Sequence, residues 1–388
     1  MRICHVTSHL PPDQAANALL PLHLGQWARD AGDAVSYVAH PPRSLGGAAG
    51  GLAEVERTLP GPVTWIEPRT RGRRVPVITT FSSFVEVARI RGAVRDALAG
   101  ADVVHVHSNG LLPEAAGLIA ARLQKPVVLT LYGTEIWHYA PRRLGVDLFT
   151  RLYRAASHVT FYSGFLRDRA VELGLARDHL TVIYPPVAGY FEKRTGADRL
   201  AIRAELGLRE SRVLVNVKRL HPLAGQRRLL DAMPDVLRAH PDTRLVICGA
   251  GPLHDELLAR AADLGIARQL TLTGLVDNRT VARFQEASDL FVLPSELEAL
   301  PTVAVEALAC GTPVISTDNP GGVELGRLFG DDVRVVRRSE PRELAGAIIE
   351  FLGSVRRTRP TTDEVLAREF SPGVAASRYA AIYRDVLQ

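Results

Sequence analysis

Short runs of β-branched and aliphatic residues alternate along the chain with longer stretches whose apolar positions recur at helical spacing. Residues 3–6, 35–38, 103–106 and 127–131 read as strands in the first half. Residues 212–217, 244–248, 270–273, 290–293 and 314–316 do so in the second. Between them, 115–123, 229–239 and 303–310 carry helical periodicity. Strands that are apolar throughout are covered on both faces, and strands that alternate with helices pair in parallel. The pattern occurs twice, so the expected class is α/β, with two doubly wound domains. Pro185 and Pro186 can neither continue a helix nor serve a central strand, which places a connector at 184–189. The expected domains are therefore 1–188 and 189–369. Tyr379, Ile382, Tyr383 and Val386 fall at helical spacing, so 370–388 reads as an amphipathic final helix. The Gly- and Ala-rich residues 46–51 read as a flexible loop.

Composition narrows the picture only slightly. A chain of 388 residues, 46% hydrophobic and 23% charged, suits two globular domains and excludes a disordered or fibrous protein. The net charge of +5 suits phosphate-bearing substrates or an anionic membrane surface and selects neither. Cys4, Cys248 and Cys310 have no paired spacing, so neither a disulfide framework nor a cysteine zinc site is expected. The N-terminus enters a strand directly, without the pattern of a signal peptide, and no stretch approaches the roughly 20 apolar residues of a membrane span. The expected location is cytoplasmic, with peripheral contact at the inner membrane face as an open alternative.

Candidate chemistry clusters behind the second-half strands. The run 294–311 starts where strand 290–293 ends; Pro301 suits the first position of a helix and Gly311 its stop. That helix would turn free N–H groups and its positive dipole end toward a diphosphate. Glu298, in the loop before it, and Glu306, in its second turn, could accept hydrogen bonds from sugar or ribose hydroxyls. Lys218 and Arg219 follow strand 212–217, where two cations could neutralise a diphosphate leaving group. Gly249 and Gly251 begin a glycine turn after strand 244–248, but the third glycine of the dinucleotide fingerprint is absent, which disfavours a nicotinamide oxidoreductase.

Together these stretches resemble family 4 of the retaining glycosyltransferases, whose members have the GT-B fold of two Rossmann-like domains facing a central cleft. The likeness covers nearly the whole chain and includes Gly274-Leu275-Val276, the run 287–295, Pro320-Gly321-Gly322-Val323-Glu324 and the closing helix from Phe370-Ser371. Its most specific mark is the pair Glu298 and Glu306, separated by seven residues. The resemblance implies that Glu298 holds the donor sugar, that Glu306 holds the ribose, and that Arg219 grips the diphosphate. The main chain near Val276 would meet the base, and Gly251, Ala299, Leu300, Pro301 and Thr302 would complete the donor site. It further implies a nucleotide-diphosphate sugar as co-substrate (UDP most often), a hydroxyl acceptor that is a small molecule, lipid-linked or a glycan, retention of configuration, and a final helix that returns to the N-terminal domain. Neither a metal nor another cofactor is expected, and no nucleic-acid partner. The sequence departs from the family at Ala224, where a second phosphate-binding lysine is usual, with Lys218 as the candidate substitute. It departs again in the loop 8–17, which lacks the usual glycines, and at Tyr132-Gly133, where His-Gly is usual.

On the acceptor side, His107 ends strand 103–106 and shares a sheet face with His105. His107 is the expected catalytic group there, and Asn17, Tyr132, Glu135 and His138 are further acceptor-side candidates; for the last three a hydrogen-bonded loop is the competing reading. The basic run 69–74, followed by Phe81, Phe84, Val85, Val87, Ile90 and Arg89, Arg91, Arg95, reads first as a solvated loop beside a core-packed helix. Weak contact of 69–95 with anionic lipid is its second reading. The alternatives to a transferase are a non-catalytic transferase-like partner and a nucleotide-sugar epimerase or sugar phosphorylase of the same layout.

Overall fold

The computed structural model describes residues 1–13, 16–42, 49–68, 76–141, 146–210, 212–338 and 341–388. It divides into two units, one of residues 1–184 with 375–388, the other of residues 185–374. The first break falls at Tyr184, ahead of the 188/189 boundary expected from the prolines, and the second inside the final helix, not at 370.

The first unit is built on a seven-stranded sheet in the order β3-β2-β1-β4-β5-β6-β7. Its strands are β1 (Arg2–Thr7), β2 (Ala34–Ala39), β3 (Val63–Trp65), β4 (Val103–His107), β5 (Val127–Leu131), β6 (His158–Phe161) and β7 (Leu180–Val182). All neighbours pair in parallel. The second sheet runs β10-β9-β8-β11-β12-β13. Its strands are β8 (Arg212–Val217), β9 (Thr243–Cys248), β10 (Leu270–Gly274), β11 (Leu290–Leu293), β12 (Val314–Thr317) and β13 (Val333–Val336), again all parallel. Strands β4, β5 and β11 are buried at every position; β11 is apolar throughout, while β4 and β5 also bury His105, His107 and Thr130, whose side chains are hydrogen-bonded. In the second unit Leu229, Leu230, Met233 and Val236 of helix Gln226–Ala239 pack with Leu344 and Ile348 of helix Pro341–Gly353 around Leu214 and Leu245.

Four strands are absent from the sequence reading: β3, β6, β7 and β13. β3, β7 and β13 are sheet edges, and β3 and β7 are half-buried throughout, so they lack an apolar run. β6 is fully buried, yet carries His158, whose Nε2 pairs with Thr181, and Thr160, whose hydroxyl pairs with Thr130. Of the expected flexible loop 46–51, residues 46–48 lie outside the described residues, and Ala49–Thr58 is a helix. The expected final helix over 370–388 spans Pro372–Asp385, so Val386 lies beyond it. Its face toward the first sheet is formed by Tyr379, Ile382 and Tyr383, all buried.

Each sheet reverses its strand order at one place, between β1 and β4 in the first unit and between β8 and β11 in the second. In open α/β sheets, ligands collect beyond the carboxyl ends of the strands at that reversal. Lys218 and Arg219 follow β8, and Pro294 to Glu298 follow β11, so the donor-side candidates lie at the reversal of the second sheet.

Candidate functional site

Within the second unit, glycines let the strand-end loops approach one another. Gly225 has φ +71°, and a Cβ there would lie 1.9 Å from the carbonyl oxygen of Pro294. At Gly251 a Cβ would lie 2.2 Å from the Leu220 oxygen. Lys218 N–H donates to the Cys248 oxygen (3.0 Å) and Leu220 N–H to the Ala250 oxygen (3.1 Å), which knits the loop after β8 to the turn after β9. The loop after β11 is held from three sides. Arg228 donates to the Pro294 oxygen at 2.9 Å and pairs with Glu296, Arg338 donates to the Glu296 oxygen at 2.8 Å, and Gly321 N–H donates to the Glu298 oxygen at 2.9 Å.

Glu298 is only 7% exposed, and Lys218 neutralises it: Nζ donates to Oε2 at 2.9 Å and lies 2.7 Å from Oε1. Lys218, the expected substitute for a phosphate-binding lysine, is thus engaged by the Glu298 carboxylate. Ala224, where that lysine is usual, is buried in the turn Pro222–Ala224. Arg219 is exposed, and its guanidinium has no partner among the described residues.

Helix Thr302–Ala309 begins without a side-chain cap among the described residues, which leaves its first N–H groups without the usual side-chain acceptor. Pro301 is the N-cap and not the first helical residue, because its ψ of 92° is extended. Thr302 takes the first position instead. Ala299 and Thr302 are half-buried, while Leu300 and Pro301 are buried and fix the helix entry. Gly311 follows the helix with φ +76°. Glu306, half-buried, has little water around its carboxyl, and desolvation pushes its pKa up to about 7. Close by stands Tyr190, which the sequence reading missed. Its ring lies under the Arg279 guanidinium, 5.1 Å from the ring centre. Burial, and to a lesser extent the charge of Glu306, raises the pKa of its hydroxyl. An aromatic residue just after a proline pair gave no signal of its own, since its partners lie far along the chain. Val276 is half-buried in the turn after β10, next to a highly exposed Leu275.

The acceptor-side candidates all belong to the first unit. His107 is fully buried, with Nε2 3.0 Å from His5 Nδ1 and Nδ1 2.9 Å from the Tyr132 hydroxyl. Desolvation, reinforced by His105 and His5, holds its pKa well below the usual histidine value, so the ring is neutral. This corrects the expectation that His107 meets substrate directly: both nitrogens are occupied, and it orients Tyr132. His105 shares its face as the period of two requires, with ring centres 4.0 Å apart. Glu135 is also buried, accepting from Ser108 Oγ (2.6 Å), Gly133 N–H (2.7 Å) and Tyr132 N–H (3.3 Å), so it organises the turn after β5. Tyr132 is half-buried and His138 exposed. Asn17 opens helix Ala16–Asp30, and its side chain lies outside the described residues.

The basic run 69–74 also lies outside the described residues, as do the side chains of Phe81 and Phe84. The rest of helix Pro76–Ala99 buries Ile90, Val94 and Leu98, while Arg89 is tied to Glu86 and to the Glu67 oxygen. Among the described residues no helix is long and apolar enough to cross a membrane.

Two family profiles match: Glycosyltransferase Family 4 over residues 22–188 and Glycosyl transferases group 1 over residues 198–359. The chain is 31% identical over 251 residues to a GDP-mannose-dependent α-(1-6)-phosphatidylinositol monomannoside mannosyltransferase of Mycolicibacterium smegmatis, covering 60% of this chain and 62% of that protein. It is 30% identical over 300 residues to TuaC of Bacillus subtilis, a glycosyltransferase named for teichuronic acid biosynthesis, covering 76% of this chain and 69% of the relative. Among solved structures, Anabaena HepE in complex with UDP superposes with a TM-score of 0.74 at 19% identity, covering 99% of this chain and all of HepE, a likeness of fold. Two parallel α/β units, a strand-reversal site built from the loops after β8 and β11, and these matches agree: the chain belongs to the group 1 glycosyltransferases of GT-B fold.

Proposed function

We propose that this protein transfers a sugar from a nucleoside-diphosphate sugar to a hydroxyl of an acceptor, retaining the anomeric configuration and using no metal. The observation that carries this reading is the pairing of a free, exposed Arg219 with the uncapped N-terminus of helix Thr302–Ala309 at one strand reversal. Together they supply positive charge and N–H donors for a diphosphate, the work a metal ion performs elsewhere. Glu298, held rigid by Lys218, accepts hydrogen bonds from the donor sugar. Glu306 does the same for the ribose once ionised, and the backbone at Gly251 and Val276 borders the nucleotide. In the transfer the bond from the anomeric carbon to the phosphate oxygen breaks, and the acceptor oxygen bonds to the same face. The departing phosphate oxygen takes the acceptor proton. Tyr132, oriented by His107, and His138 are the groups proposed to meet the acceptor. The mannosyltransferase relative is consistent with an acceptor carrying an inositol lipid or a glycan.

A thermal-shift screen against UDP, GDP, ADP and TDP, repeated on Glu306→Ala, tests the donor site. The expected result is an upward shift with one nucleotide that the variant loses. Absence of any shift at millimolar nucleotide would favour a non-catalytic partner protein. With the nucleotide identified, release of nucleotide only when acceptor is present separates transfer from epimerisation.

A further inference from the structure

A cluster away from the donor-side residues stands at the edge of the first sheet. His158 opens β6, His179 immediately precedes β7, and Asp385 is the last residue of helix Pro372–Asp385. One ligand atom from each lies within 4.8 Å of the other two. His158 is 7% exposed, whereas His179 and Asp385 are exposed. His158 Nε2 is 2.8 Å from Thr181 Oγ1, while Nδ1 is buried without a hydrogen-bond partner. With the ring proton on Nε2 and donated to Thr181, Nδ1 is left with a bare lone pair that no described residue claims. That is how an outer partner fixes the tautomer of a metal-ligating histidine.

The backbone around His179 points the same way. Its φ is +59°, a left-handed conformation that is unfavourable for a non-glycine residue and persists only where surroundings enforce it. Here its carbonyl accepts from Val159 N–H at 3.0 Å, which ties the strained residue to β6 and sets its ring 5.9 Å from the His158 ring. Asp385 adds a carboxylate at the carboxyl end of a helix, where the dipole favours a cation. Arg177, whose charge reaches His158, is turned onto the backbone oxygens of Tyr153 and Asp178. A cavity of about 330 Å³ lined in part by Tyr153, Leu175 and His179 leaves room for water beside the cluster.

We propose that His158, His179 and Asp385 bind one Zn²⁺, with water as the fourth ligand, fastening the final helix to the β6–β7 edge. Two imidazoles and one carboxylate match zinc's preference, and tetrahedral ligation needs donor atoms about 3.3 Å apart. His179 and Asp385 are both exposed, so their side chains are the ones with room to rotate toward that spacing. The buried trio His5, His105 and His107 is a poorer candidate: both His105 nitrogens are already bonded, to Tyr383 at 2.6 Å and Thr130 at 2.7 Å.

The test uses the full chain stripped with EDTA and re-equilibrated with Zn²⁺, with metal content and melting temperature measured. The wild type should retain one equivalent and melt at higher temperature with Zn²⁺ present. His179→Ala and Asp385→Asn, both at exposed positions, should fold as the wild type does without metal, yet lose that equivalent and the Zn²⁺-dependent shift. Retention of the equivalent by either variant, or a wild type whose melting ignores Zn²⁺, overturns the proposal.

Discussion

Glu298 and Glu306 are the same residue type in opposite surroundings. Glu306 has a pKa pushed up from 4.5 to about 7 by desolvation, so the folded chain holds its proton more tightly than the unfolded one. That contribution to stability is fully present below about pH 4.5 and is lost as pH rises to about 7. Glu306→Gln should therefore flatten the change in melting temperature over that window and melt above the wild type at pH 8. If ribose hydroxyls donate to the ionised carboxylate, nucleotide affinity of the wild type should rise between about pH 6 and 8, and the glutamine variant should lack that rise in calorimetric titration. Glu298 depends instead on Lys218. Lys218→Ala leaves a buried carboxylate without its cation and should cost about 1–3 kcal/mol in urea denaturation. The double variant Lys218→Met with Glu298→Gln should recover most of that loss. Neither consequence was legible in the sequence, which identified both glutamates by spacing but could not say which of them Lys218 would reach.

Among the elements, the loops after β8 and β11 are the most constrained. Gly225 combines a positive φ with a backbone approach that leaves no room for a methyl group. Gly225→Ala should thus lower stability by more than the roughly 1 kcal/mol of the backbone preference alone, as measured by chemical denaturation. The central strands were legible because two covered faces demand mostly apolar, β-branched residues. The edge strands β3, β7 and β13 were not, since half-exposed edges tolerate mixed sequences. β6 escaped for another reason: His158 and Thr160 become buriable only when Thr181, Thr130 and Tyr379 supply their hydrogen bonds.

At the scale of the molecule, the chain returns to its first unit at the end. Tyr383 donates to or accepts from His105 Nδ1 at 2.6 Å, and the Tyr379 hydroxyl lies 3.3 Å from Thr130 Oγ1. Tyr383→Phe leaves a buried imidazole nitrogen unpaired and should destabilise by about 1–3 kcal/mol. Tyr383→His, offering a polar group at the same depth, should not restore the wild-type value if the phenol geometry matters. Both are read by urea denaturation.

Periodicity, prolines and glycines determined the fold class and the two-unit organisation, and singled out the run 294–311 as a strand–loop–helix unit, because these depend on local residue type and spacing. Only tertiary structure decided that Lys218 serves Glu298, that Arg219 is left free, that His107 and Glu135 are internal supports, and that Tyr190 stands near Glu306. Those outcomes depend on which side chains meet across strands far apart in sequence, and on how much water each meeting excludes, neither of which a local pattern encodes.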